Sequence, residues 1–519
     1  MSDFPYLTVL GLIPLLGALV VSATPKRSPL LAKQVALGTS LVVLLLTIVM
    51  CADFVPKGER FQFVETHAWI PSFGVQYALG ADGIALVLIA LVAVLVPVVL
   101  LASWYDADPV TDPDDPEPPR VRSVKTFFAL LLVLETMMIG VFAATDVFLF
   151  YVFFEAMLIP MYFLIGSFGG PKRSYAAVKF LLYSLFGGLL MLASVIGLYV
   201  ASANQGEGTF SFEKLTAMEF SNQTQILLFL GFFIAFAIKA PLFPFHTWLP
   251  DAGAEAPVGG AVLLVGILDK VGTFGFLRYC LPLFPYATRT LAPYIIVLCV
   301  IGILYGALLA MGQKDLKRLV SYTSIAHFGF IGLGCFALTT QAQTGAVLYM
   351  VNHGLSTGAL FLIVGFLIVR GRSRLVTDYS GIAKVAPILA GLFFVAGLSS
   401  LALPGLSTFI SEFLVLVGSF QRYEVATVFA TIGIVFAALY ILLMYQRTMQ
   451  GPLSKAHEAM SDLKLREVLA VAPLIALMVF LGFYPKPLTD IITPAVNATM
   501  SDVGVEDPAP SQLTETARR

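Results

Sequence analysis

The stretch LGFFIAFAIKAPLFPFHTWLPDAGAEAP, residues 230–257, is apolar enough to enter a membrane, yet it carries Lys239 and two prolines, Pro241 and Pro244, in mid-course. A proline inside a helix lacks an amide donor and clashes with the carbonyl four residues earlier, which for Pro241 is that of Ala237. A second stretch, GLFFVAGLSSLALPGLSTFISEF at 391–413, breaks in the same way at Pro404 and Gly405, where the carbonyl of Ser400 loses its donor. Broken backbone at membrane depth survives only where it is buried in protein or lines a wet cavity. Matched breaks in two halves of a chain point to inverted repeats with a site at mid-membrane.

Working outward from these stretches, apolar runs place spans near 6–23, 35–52, 84–104, 126–144, 147–167, 176–201, 226–250 (interrupted) and 258–279. Further spans lie near 291–312, 316–338, 345–369, 386–420 (interrupted), 425–448 and 467–483. Composition agrees. The 519 residues are 58% hydrophobic and only 12% charged, enough apolar residues for about 14 spans of roughly 21 residues each. The expectation is an all-α membrane protein in which spans four to eight and nine to thirteen form two five-helix units, each with its fourth helix broken. The boundaries are 1–125 for three N-terminal spans and an acidic Pro-rich loop, 126–280 and 281–450 for the two units, and 451–519 for a last span and polar tail.

A net charge of −1, from 31 basic and 32 acidic residues, gives no global field to attract nucleic acid. Most Lys and Arg fall in the loops after odd-numbered spans, which the positive-inside rule assigns to the cytoplasm, so both termini lie outside. The first apolar run lacks a basic leader and reads as a retained span. The connection DADPVTDPDDPEPPRVRSVK, starting at Asp106, and the tail VGVEDPAPSQLTETARR read as solvated linkers. Cys51, Cys280, Cys299 and Cys335 are far apart and read as packing residues, and no metal-ligand cluster is visible. With neither a P-loop nor a G-x-G-x-x-G after a strand, nucleotide hydrolysis and redox chemistry have no place in this chain.

An ionisable group near the bilayer centre costs on the order of 2.5–3.5 kcal/mol, so each needs a partner or a task. The candidates are Glu155 in FYVFFEAMLIPMYF, Lys239 before the first break, Lys270 in GILDKVGTFG, His327 in SYTSIAHFGF, His353 in YMVNHGLSTG and Glu412 after the second break. Glu135 and Lys179 form a second tier. His246 is read as a residue that caps or packs the first break, and Asp251 and Glu255 either line an entry path or face water. Glu155 and Lys239 make a natural pair of opposite charges. A carboxylate beside a buried ammonium favours its charged form, and withdrawing the carboxylate expels a proton. Moving a charge against roughly 180 mV takes about 4 kcal/mol, which burial and a movable ion-pair partner can supply. Asp269 is awkward: adjacent helix positions point in different directions, so it need not pair with Lys270.

These residues, together with DVFLFYVFFEAMLIPMYFLIG at 146–166, the run from Ala237 to Lys270, KDLKRLVSYTSIAHFGFIGLG at 314–334, VNHGLSTGALFL at 351–362 and LPGLSTFISEF at 403–413, resemble a known family. It comprises the antiporter-like proton-conducting membrane subunits of respiratory complex I and the related multisubunit cation/proton antiporters. The resemblance covers about residues 120–450 and implies fourteen helices in inverted repeats with spans seven and twelve broken. It further implies Glu155 and Lys239 as a coupled ion pair, Lys270 as the central lysine, His327 and His353 as relay groups and Glu412 as the terminal group. An acid at Glu412 and the string EAMLIPMYFLIG resemble the M-type branch, and the short stretch after span fourteen is unlike the L type. Asp269 departs from the apolar residue the resemblance leads one to expect. By the same resemblance the chain is a proton-translocating subunit of a bacterial plasma-membrane NADH-quinone oxidoreductase, beside other membrane-arm subunits and lipid. NADH, FMN, iron–sulfur clusters and quinone then belong to partner subunits. The alternatives are a subunit of a sodium/proton antiporter and a non-conducting scaffold.

Overall fold

The structure, a computed structural model, describes residues 4–108 and 123–509; most of the acidic Pro-rich connection and the end of the tail lie outside the described residues. Among the described residues, thirteen helices are long and apolar enough to cross a membrane, and the broken pair Pro387–Ser400 and Ser407–Phe420 completes fourteen spans in chain order. Where lipid offers no hydrogen bonds, a helix is the one open-chain form that satisfies its own backbone, which is why each apolar run folds this way.

Burial is graded across the bundle. Span eight, Val258–Leu283, is wholly buried and span ten, Leu316–Phe336, nearly so, whereas span two, Pro29–Asp53, and span thirteen, Glu424–Met449, turn wide apolar faces outward through Leu45 and Val425 among others. Spans eight and ten carry Lys270 and His327. Small residues let them approach closely. In span eight, a Cβ on Gly272 would lie 2.5 Å from the Phe236 carbonyl oxygen and 2.6 Å from the Ala240 amide nitrogen, so its backbone rests directly on the end of span seven.

Three features depart from the sequence reading. The connection before span three forms an antiparallel hairpin, Gln62–Ile70 with Val75–Ala81, where no strand was expected. The segment read as a polar tail contains a helix, Lys486–Val503, whose Ile492, Val496 and Met500 are buried. Its backbone at Ile491 abuts Gly83 at the head of span three. The i, i+4 spacing of those three apolar residues was the signal; two prolines and many short polar residues obscured it. Finally, span eight is not uniform: π-turns at Leu264–Leu268 and Phe276–Cys280 bracket the α-helical segment Asp269–Gly275.

Candidate functional site

Span seven runs as a helix over Asn222–Lys239, loses helical form, and resumes at Leu249–Glu255. The Ala237 carbonyl is not left free, as Pro241 alone implied: it accepts from the Leu242 amide at 2.9 Å, one residue further along than in an α-helix. The Ile238 carbonyl is taken by the indole N–H of Trp248, at 2.8 Å. Freed carbonyls therefore do not solvate Lys239. Its ammonium, 1% exposed as a residue and without a hydrogen-bond partner, lies instead 4.8 Å from the Phe154 ring centre and 5.8 Å from that of Phe180. Aromatic faces offer a cation an attraction that needs no polar partner.

Glu155 belongs to span five, Val147–Phe168, whose helix is interrupted at Met157. Pro160 lies just beyond and lacks the amide that would close on Ala156. The carboxyl of Glu155 packs over Gly188 of span six, where any side chain would collide with it. Next door, Gly187 brings span six against Ala235 and Ile238 of span seven. No hydrogen bond or ion pair joins Glu155 to Lys239, and one carboxylate oxygen of Glu155 is buried without a partner. The two groups are neighbours, since Glu155 packs on Gly188 beside the contact of Gly187 with Ile238 and Phe154 faces Lys239, but no bond joins them.

Lys270 faces the other way. Its Nζ donates to the Val265 carbonyl, which the preceding π-turn exposes, and lies 2.6 Å from Nδ1 of His353 in span eleven, Thr340–Gly371. π-turns of this kind concentrate at functional sites because they present backbone groups that an α-helix consumes. The ring of His353 is 5.3 Å, centre to centre, from that of His327 in span ten. Nδ1 of His327 is 2.7 Å from the Tyr349 hydroxyl. That hydroxyl donates to Oε2 of Glu412 at 2.9 Å. Nε2 of His327 is 3.4 Å from the hydroxyl of Ser400, the last residue before the second break. That break repeats the first: the Leu398 carbonyl accepts from Leu403, five residues on, at 3.0 Å. No donor reaches the Ser400 carbonyl among the described residues.

Lys270, His353, His327 and Glu412 thus form one buried line, and Lys239 and Glu155 lie at its other end. The sequence reading missed Tyr349, which joins His327 to Glu412. It lies four residues before His353 on the same helix, a spacing that puts both on one face. Among the remaining candidates, Glu135 is fully buried in span four, Val124–Ala143, with neither carboxylate oxygen bonded. Lys179 is no solitary charge: it pairs with Asp251 at 2.7 Å, and Asp251 also takes Arg318 at 2.6 Å. Glu255 pairs with Arg374 at 3.0 Å, so both carboxylates belong to a partly exposed ionic cluster. His246 packs against the rings of Phe243 and Tyr305 at the break, as expected of it. The four cysteines are free thiols.

A sequence profile described as NADH:quinone oxidoreductase/Mrp antiporter, TM matches residues 144–437. NADH-quinone oxidoreductase subunit M of Mycobacterium tuberculosis (strain ATCC 25618 / H37Rv) is 53% identical, over 98% of this chain and 97% of its own. The subunit M of Rhodobacter capsulatus is 38% identical, over 94% and 95%. Among solved structures, a chain of respiratory complex I from Thermus thermophilus with bound NADH superposes with a TM-score of 0.86 at 31% identity, covering 96% of this chain and all of that one. A chain of the Mrp complex from Dietzia shares the fold, with a TM-score of 0.78 at 22% identity over 97% of this chain and 53% of its own.

Proposed function

This chain belongs to the NADH:quinone oxidoreductase/Mrp antiporter transmembrane family, as a subunit M of NADH-quinone oxidoreductase, and from that membership we propose that its buried polar line is the path by which it moves protons. It is a proton-translocating, multi-pass membrane subunit of that enzyme. The single observation that best supports the path is the run of contacts from Lys270 to His353, by ring contact to His327, and on through Tyr349 to Glu412, hydrogen-bonded at every step but the one between the two histidines. A proton passes readily between groups about 2.6–3.2 Å apart, and imidazole both takes and gives one near neutral pH.

In this reading, Glu155 is the gate. While it stays near Lys239 it favours the ammonium; drawn away, it leaves a buried cation held only by two aromatic faces, and the proton is released toward span eight. The absent side chain at Gly188 makes room for that carboxyl where it lies, and the helix interruption at Met157 beside it is where a movement of the carboxyl would be accommodated. Lys270 then hands the proton along the histidines to Glu412. The ionic cluster of Lys179, Asp251, Arg318, Glu255 and Arg374 lies on the cytoplasmic side and both termini on the outer side, in keeping with the distribution of Lys and Arg. The units 126–280 and 281–450 are the two half-channels. The bacterial plasma membrane is the setting, neighbouring antiporter-like subunits and lipid are the contacts, and NADH, flavin, iron–sulfur clusters and quinone reside in partner subunits.

The test replaces Lys239 with Ala and Glu155 with Gln separately and measures complex content and NADH-driven proton uptake in membrane vesicles. Loss of uptake at normal content is the expected result. Normal uptake in both variants overturns the path, and loss of the complex in both favours a scaffold. The relatives named above favour the oxidoreductase over a free-standing sodium/proton antiporter; copurification of flavoprotein and iron–sulfur chains discriminates the two.

A further inference from the structure

No hydrogen bond joins Lys239 to Lys270, and Asp269 stands next to Lys270 on span eight, the helix that packs against the end of span seven. Asp269 is wholly buried, and neither of its carboxylate oxygens has a hydrogen-bond partner. Its direction follows from the helix. Gly272, three residues later and neighbouring it on the helix surface, rests on the Phe236 carbonyl and the Ala240 amide. That face of span eight therefore meets the end of span seven, where Lys239 closes the helix. Lys270, one position on, points to His353 instead.

We propose that Asp269 is a proton-relay residue, carrying the proton from Lys239 to Lys270 across the contact between spans seven and eight. The proposal rests on the path proposed above and adds the group that joins its two ends. In the first step an N–H bond of the Lys239 ammonium breaks and an O–H bond forms on the Asp269 carboxylate, leaving a neutral amine and a neutral acid. In the second the O–H bond breaks and an N–H bond forms on the neutral Lys270, which restores the carboxylate. One proton has crossed, and the three groups keep a single shared proton and zero net charge throughout. A lone buried carboxylate is costly and the acid far less so, so whenever Asp269 is ionised, with no hydrogen bond to its oxygens, it draws a proton from a neighbouring ammonium. A counter-ion serving only to glue the helices would instead be bonded to one of them.

The experiment makes Asp269→Asn, Asp269→Glu and Lys239→Ala in the assembled enzyme. It reads complex content, NADH oxidation by an artificial acceptor, and proton uptake per NADH oxidised. D269N is expected to lose proton transport by about a hundredfold at unchanged content, the loss a missing proton-transfer group gives, with D269E restoring most of it. If the D269N enzyme does not accumulate, Asp269→Ser, polar but without an acidic proton, takes its place. Native uptake in the non-titrating variant while K239A is impaired overturns the role of Asp269 and leaves the path standing. Native uptake in both overturns the path as well. Equal loss in D269N and D269E at normal content overturns the relay in favour of packing.

Discussion

Tyr349→Phe removes one oxygen atom from the buried line and little else. That oxygen is 2.7 Å from Nδ1 of His327 and 2.9 Å from Oε2 of Glu412. Without it the two groups lose the hydroxyl that bridges them, and no direct hydrogen bond joins them, whereas transfer needs groups within roughly 3.2 Å. The loss of a hydrogen bond to a charged acceptor costs about 1.5–3 kcal/mol, too little to unfold a bundle of fourteen spans. Transfer to Glu412 is expected to slow by a factor on the order of 10² to 10⁴. The assay is proton uptake into inverted membrane vesicles on adding NADH, normalised to complex content and compared with NADH oxidation in the presence of an uncoupler. Uptake is expected to fall while uncoupled oxidation and content hold. Native uptake in Y349F refutes the reasoning, since no other hydrogen-bonded route joins His327 to Glu412 among the described residues.

Gly188→Ala puts a methyl group into the space held by the Glu155 carboxyl; a small overpacking cost of about 1–3 kcal/mol is expected, and proton uptake should fall more than content, whereas Gly391→Ala, where a Cβ meets nothing, should change neither. Arg278 and Asp82 form an ion pair of 2.7 Å with both side chains nearly sealed from solvent. Arg278→Met alone should cost about 3–5 kcal/mol by stranding a charge, seen as lost complex on native gels, with Arg278→Met combined with Asp82→Leu recovering content. Trp248→Phe frees the Ile238 carbonyl at the first break and should cost about 1 kcal/mol, read as faster hydrogen exchange confined to residues 236–249.

The parts of this molecule that follow from local chemistry were legible in its sequence. Apolar runs and prolines gave the span order and both breaks, because in lipid a missing amide or a buried charge is expensive wherever it occurs. Glu155, Lys239, Lys270, His327, His353 and Glu412 were visible for the same reason. Tyr349 was not, because a tyrosine among apolar residues in a 58% hydrophobic chain carries no cost that marks it out. Its role depends on which helix packs opposite. The π-turns flanking Asp269–Gly275 were equally hidden: they change a helix by one residue per turn and leave no composition behind. The strands at 62–81 mix Thr, Glu and His with apolar residues in a loop between spans, and strand pairing there depends on the neighbour they find.

The contacts along the line are unequal, and their inequality locates control. Between Lys270 and His353, and from His327 through Tyr349 to Glu412, the groups are within hydrogen-bonding distance. Between His353 and His327 there is only a ring contact, and Nε2 of His353 is buried without a partner. Between Glu155 and Lys239 there is no bond at all. Transfer within bonded stretches needs no rearrangement of the backbone. Transfer across the open junctions of the proposed path, those of the unbonded Asp269 included, needs a side chain to turn or a carboxyl to shift; the interruption at Met157 lies beside Glu155 and the break at Ser400 beside His327. A continuous wire would let protons leak back down the gradient. On the proposed path, junctions that closed only when a neighbouring helix moved would allow passage in step with that movement, which is the property a coupled pump requires.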